Sequence, residues 1–134
     1  SGEFIMPFRF LKFLFAVFIM LGALPVTAES LAEKNEIIFI YKNKCPGDAE
    51  KSVEYLNKVM AYEQEKSPYQ HDVSCGIYGN GDVGCVDKTE SWELRKKITN
   101  WQENNPEWGE IISLAWRACG IQDYEYSEDI MIVK

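Results

Sequence analysis

The chain has 134 residues, with 14 Lys and Arg against 21 Asp and Glu for a net charge of −7, four Cys and one His. That length fits one domain, and the acidity argues against nucleic acid or anionic membrane as a partner, since phosphate binding needs a basic footprint. A single histidine excludes multi-histidine metal sites and leaves Ser-His-Asp chemistry with one candidate base.

Residues 1–5 read as a cloning remnant ahead of Met6. Arg9 and Lys12 then form a positive region, residues 13–24 an apolar run, and Pro25-Val26-Thr27-Ala28 a stretch of small residues. This is the pattern of a signal peptide over residues 6–28, cleaved near Ala28; a membrane anchor would need about 20 apolar residues. Residues 29–134 are then one secreted domain, and losing Arg9, Lys12 and Glu3 from the count makes its charge −8. All four cysteines follow Ala28 and none forms a C-x-x-C pair. Disulfides in an oxidising compartment, periplasmic or extracellular, are therefore expected over zinc or redox chemistry.

Three segments carry helical signals. In the first, residues 48–66, Pro46-Gly47 leads to a capping Asp48, and Ala49, Val53, Leu56 and Met60 keep helical spacing. The second spans about residues 88–104, with Asp87 and Glu90 in a D-x-x-E box and Leu94, Ile98 and Trp101 on one face. The third opens with a capping Asn105, Pro106 at its first position and Glu107 on the positive end of the dipole, and stops at Gly120. Its apolar face is Trp108, Ile111, Ile112, Ala115, Ala118 and Cys119.

Only Asn105 separates the second and third helices, so they make a tight corner or a hairpin. A hairpin of two nearly equal arms returns Cys85 beside Cys119. That pairs Cys85 with Cys119 and leaves Cys45 with Cys75; the alternative joins Cys75 to Cys85 and leaves Cys45 with Cys119. Residues 71–78 and 83–86 flank Gly79-Asn80-Gly81-Asp82, a hairpin or projecting-loop signal. Residues 36–41 and 130–133 are short apolar runs that periodicity leaves open between strand and helix. The fold expected is mainly α, a small disulfide-stapled domain of three helices with a short β-hairpin or loop between the first two.

The chemical signals are sparse. His71 beside Asp72 and Ser74 is sequence-adjacent, whereas triads converge from separate elements, so a surface or loop histidine is expected. Glu63 with Glu65, and Glu125 with Glu128 and Asp129, follow from an acidic composition and read as solvated faces. No catalytic set, cofactor site or metal site is expected, and the chain reads as a non-enzyme. Trp92, Trp101, Trp108 and Trp116 suit core packing, with a partner surface for any that faces outward. The glycine-rich segment between Cys75 and Cys85 suits a presented loop.

Cys85-Val86-Asp87, a helix bearing Leu94 and Ile98, the Asn105-Pro106-Glu107 corner and an apolar helix through Ile112 and Ala118 to Cys119 together resemble the Rap/Tai family over residues 85–119. Those are periplasmic immunity proteins against type VI secretion amidase effectors. The resemblance implies a protein that binds and blocks a secreted, peptidoglycan amidase-type toxin. The acidic charge would steer a basic partner. Tyr78, Asn80, Asp82, Tyr124, Glu125 and Tyr126 are the candidate contacts, and a homodimer is compatible with this reading. The alternative is a helical carrier for a lipid or small molecule, which would need an apolar cavity of at least about 300 Å³.

Overall fold

A computed structural model describes residues 28–121 and 126–134. The chain divides into two compact units, residues 1–31 and 32–134. Of the first, the described residues 28–31 form no helix or strand. The second contains β1 (Ile37–Asn43), α1 (Ala49–Lys66), β2 (Asp72–Ile77), β3 (Val83–Thr89), α2 (Trp92–Glu103), α3 (Pro106–Ala118) and β4 (Tyr126–Ile132). The strands form one antiparallel sheet in the order β2-β3-β1-β4. This is the split βαβ, ferredoxin-like arrangement, with two helices in its second crossover.

The expectation of a mainly helical domain is therefore wrong. The two apolar runs whose state periodicity left open are strands, and they pair with each other: Ile37 stands opposite Ile132 and Phe39 opposite Ile130. Such long-range pairing is invisible to a local pattern. The second helix also begins later than its sequence signals suggest, at Trp92 rather than about residue 88. Residues 83–89 alternate between faces, with Val83, Cys85, Asp87 and Thr89 buried, so this stretch is a strand. The Asp87–Glu90 box does not form. Instead Ser91 caps α2, its hydroxyl accepting from the Leu94 N–H at 3.1 Å.

The other helix signals agree with the structure. Asp48 accepts from the Lys51 N–H at 3.0 Å, and Asn105 accepts from the Trp108 N–H at 3.0 Å. Beyond α3, the Gly120 N–H donates to Arg117 O and the Ile121 N–H to Trp116 O, a Schellman closure with Gly120 at φ 75°. The Asn80-Gly81 segment is a hairpin turn between β2 and β3, with Gly81 at φ 89°.

No hairpin brings Cys85 to Cys119. Cys85 lies inside β3, directly opposite Cys75, and those two are bonded. Cys119 is bonded to Cys45, where the Gly47 and Asp48 N–H groups also donate to the carbonyls at the end of α3. The second, alternative pairing is thus the one formed, because α3 packs on α1 rather than folding back along α2. Leu56, Cys85 and Ala115 centre the core between α1, α3 and the sheet, with Tyr41, Tyr55, Val73, Ile112 and Trp116 packed around them. Both disulfides fit an oxidising, extracytoplasmic compartment. Among the described residues, no helix is long and apolar enough to cross a membrane.

Candidate functional site

The helices lie over β2 and β3. β4, at one edge, is left outside their cover: all seven of its residues are exposed, including Tyr126 at 47%, Ile130 at 48%, Met131 at 54% and Ile132 at 43%. Register places Tyr126, Glu128, Ile130 and Ile132 on the face that carries Phe39 and Tyr41, and Ser127, Asp129 and Met131 on the other.

An aromatic shelf borders this open part of the sheet. Phe39 and Tyr41 stack at 6.0 Å, Trp92 of α2 meets Phe39 edge-on at 5.6 Å, and Tyr126 meets Tyr41 edge-on at 6.1 Å. The Arg95 guanidinium lies over both central rings, 4.1 Å from the centroid of Phe39 and 5.2 Å from that of Tyr41. Trp92 is 44% exposed, which makes it the outward-facing tryptophan among the four.

Behind Arg95 runs a buried chain of charges. Arg95 Nη1 donates to Asp87 Oδ2 at 2.8 Å. His71 Nδ1 pairs with the same oxygen at 2.9 Å, and His71 Nε2 reaches Glu63 Oε1 at 2.7 Å. Gln102 Nε2 donates to both Glu63 oxygens at 3.1 and 3.0 Å, and Trp108 Nε1 donates to Glu63 Oε2 at 2.9 Å. The side chains of His71, Glu63 and Asp87 are 5%, 2% and 3% exposed. With His71 protonated, two cations face two carboxylates, so the chain is neutral as a whole.

Burial pulls the His71 pKa down, but hydrogen bonding and charge from Asp87 and Glu63 outweigh it and raise it to about 10. Burial pushes Glu63 up, while His71, Gln102 and Trp108 more than compensate and hold it below its ordinary value. Burial lowers Arg95 from its ordinary value, against the nearby charge of Glu128. His71 is consequently an imidazolium at neutral pH with both nitrogens facing carboxylates, a poor general base in this state. What this network of charges does is fix the guanidinium of Arg95 over the Phe39 and Tyr41 rings.

His71 lies in the loop just before β2, as expected, but its side chain is buried rather than on the surface, and Glu63 is not part of a solvated face. Both were legible in part. The buried stripe of α1 is Ser52, Leu56, Val59 and Glu63, so Glu63 falls where an apolar residue is expected. A carboxylate there demands a partner. Asp87 likewise holds an inward position of β3.

The described candidate contacts, Tyr78, Asn80, Asp82 and Tyr126, fall at one end of the sheet. Asn43 pairs with Val83 on one side and Tyr126 on the other, so the 78–82 turn and Tyr126 are two strand spacings apart, roughly 10 Å. Tyr78 is half-buried: its hydroxyl donates to Tyr41 O at 2.9 Å and Cys85 O at 3.3 Å. Asn80 and Asp82 bond each other, Asn80 Nδ2 to Asp82 Oδ2 and the Asp82 N–H to Asn80 Oδ1, both at 3.0 Å. Tyr124 and Glu125 lie outside the described residues. A small cleft at the other end of the charge chain is lined by Met60, Glu63, Tyr69, His71 and Val73.

No protein-family model matches the sequence. No curated protein matches it either. Among solved structures, SnoaB from Streptomyces nogalater, a cofactor-independent oxygenase, superposes with a TM-score of 0.51 at 6% identity, over 75% of this chain and 94% of SnoaB. A point mutant of SnoaB gives the same values. At that identity the likeness is one of fold. It nevertheless overturns the expectation of a non-enzyme, which rested on the missing catalytic set and the single histidine, because this scaffold is one that an enzyme uses.

Proposed function

We propose that this protein works in an extracytoplasmic compartment by binding a secreted protein and blocking it. The observation that carries the reading is β4, an edge strand with all seven residues exposed and four of them aromatic or aliphatic. Large exposed apolar side chains gathered on one element mark interaction surfaces in soluble proteins. The 78–82 turn lies near Tyr126, at the end of β4 away from residues 130–132, and extends that surface, and the net charge of −7 favours a basic partner. Two disulfides and the signal-like segment before Ala28 support a periplasmic or secreted site of action. The resemblance over residues 85–119 supplies the partner class: a peptidoglycan amidase-type effector of type VI secretion, against which this chain would act as the immunity protein. The test is co-production with exported effectors encoded nearby. Protection of the producing cell and a stable complex are expected, and protection against none of them would end the reading.

A second reading is favoured by one observation, the shelf of Phe39, Tyr41, Trp92 and Tyr126 around a fixed Arg95 on a fold shared with SnoaB. Its two exposed rings, Trp92 and Tyr126, suit contact with a planar aromatic ligand, and oxygen uptake with a panel of aromatic compounds is the assay. Consumption that depends on Arg95 supports it; none across the panel removes it.

A further inference from the structure

We infer that the free edge of β4 takes up an extended, basic segment of the partner as a fifth strand of the sheet. The inference rests on the binding reading above and specifies how the partner is held.

β1 occupies one edge of β4, and no described strand pairs with the other. The Val133 N–H donates to Glu36 O and its carbonyl accepts from Asn35, so the backbone polar groups of Val133 face β1. Alternation along the strand then turns those of Glu128, Ile130 and Ile132 outward. Soluble proteins usually blunt such an edge with lysine, proline, a bulge or short length. β4 has the sequence YSEDIMI over seven residues, contains neither lysine nor proline, and is guarded only by the negative charges of Glu128 and Asp129 at its centre. It is a template for strand addition, in which main-chain bonds supply affinity and side-chain pairs supply choice.

Charge decides the occupant. Glu128 and Asp129 lie at the middle of the strand, one on each face of the sheet. A second copy paired antiparallel about Asp129 sets that carboxylate against itself, and because no residue of β4 is basic, no other register sets a cation opposite Glu128 or Asp129. A segment with two consecutive basic residues meets Glu128 and Asp129 instead. Because antiparallel pairing reverses direction, the apolar residues opposite Ile132, Met131 and Ile130 come first in the partner and the basic pair follows. The occupant is thus three apolar, β-prone residues followed by two basic ones.

The experiment titrates the full chain, isotopically labelled, with a nine-residue peptide of three β-branched residues followed by two lysines. Its twins carry two glutamates in place of the lysines, or N-methyl groups on the amides that would join the ladder. Expected are amide shifts concentrated in β4, binding about tenfold tighter for the lysine peptide than for the glutamate twin, and loss of binding with N-methylation. In a Glu128→Lys/Asp129→Lys variant the charge preference should invert. Equal binding of lysine and glutamate peptides, binding that survives N-methylation, shifts confined to other elements, no binding at all, or a β4-mediated dimer of the chain would each overturn strand addition. The same variant in the protection assay separates the two ideas. Protection that persists while the peptides fail to bind removes the strand mechanism and leaves the binding function; peptide binding without protection against any effector does the reverse.

Discussion

His71 Nε2 lies 2.7 Å from Oε1 of Glu63, tying the last turn of α1 to the entrance of β2. Through Asp87 the same imidazole reaches β3 and Arg95 of α2. One side chain therefore ties α1 to β2 and β3 and fixes the guanidinium that lies over Phe39 and Tyr41.

Stability should fall as the pH rises above neutrality. His71 has an ordinary pKa of 6.5 and is raised to about 10 in the folded protein. Its contribution is complete below about pH 6.5 and is lost as the pH climbs towards 10. Glu63 is shifted down, so its contribution is present above its ordinary value of 4.5 and disappears as the pH falls below that. Urea midpoints measured from pH 4 to 10 should be highest at roughly pH 5–6.5. His71→Ala leaves two buried carboxylates facing each other, and a loss of about 3–5 kcal/mol at pH 6 is expected. The variant should also lack the alkaline decline; an unchanged slope would show that His71 does not carry it.

The two disulfides should differ in weight. Cys45–Cys119 spans a sequence separation of 74 and Cys75–Cys85 one of 10. Loop-closure entropy gives about 4.5 kcal/mol for the first and about 2.7 kcal/mol for the second. Chemical denaturation of the paired alanine variants checks the order, and peptide mapping without reduction checks the pairing. A Cys85–Cys119 peptide would contradict the fold itself.

Gly84 and Gly47 should not tolerate a methyl group. A Cβ on Gly84 would strike the Tyr41 carbonyl and come within 3.2 Å of the Tyr78 ring that lies across it. One on Gly47 would strike the Ala118 carbonyl and lie 2.8 Å from the Cys119 carbonyl carbon. Gly76 faces open space. Gly84→Ala and Gly47→Ala should each cost about 1–3 kcal/mol or more, with Gly76→Ala near neutral by comparison. Thermal unfolding of the three variants is sufficient to see this.

Local chemistry was readable from the sequence, and long-range pairing was not. The caps at Asp48 and Asn105, the stop at Gly120 and the Asn80-Gly81 turn are set by side chains within a few residues of the backbone they satisfy. Ile37 and Ile132, by contrast, meet across almost the whole domain, and neither run has a period long enough to announce a strand. Residues 83–86 read as a hairpin arm and are one, but starting the second helix at residue 88 hid the inward position of Asp87, and the helical-hairpin geometry put the Cys75–Cys85 bond second to Cys85–Cys119. His71 was misjudged because its neighbours in sequence are polar, whereas its partners come from α1 and β3. Of the candidate contacts, Tyr126 lies on exposed β4; the Ile-Met-Ile run that follows it reads as core in the sequence until its edge position exposes it.

The most direct test of the account places a photo-crosslinking residue at position 130 on β4, and separately at position 50 on the exposed side of α1, in cells that produce the exported effectors. Illumination should join position 130, and not position 50, to a basic exported protein, and the adduct should vanish in the Glu128→Lys/Asp129→Lys background. An identical adduct from both positions, an adduct only with a second copy of this chain, or none at all would contradict β4 as the surface through which this protein acts.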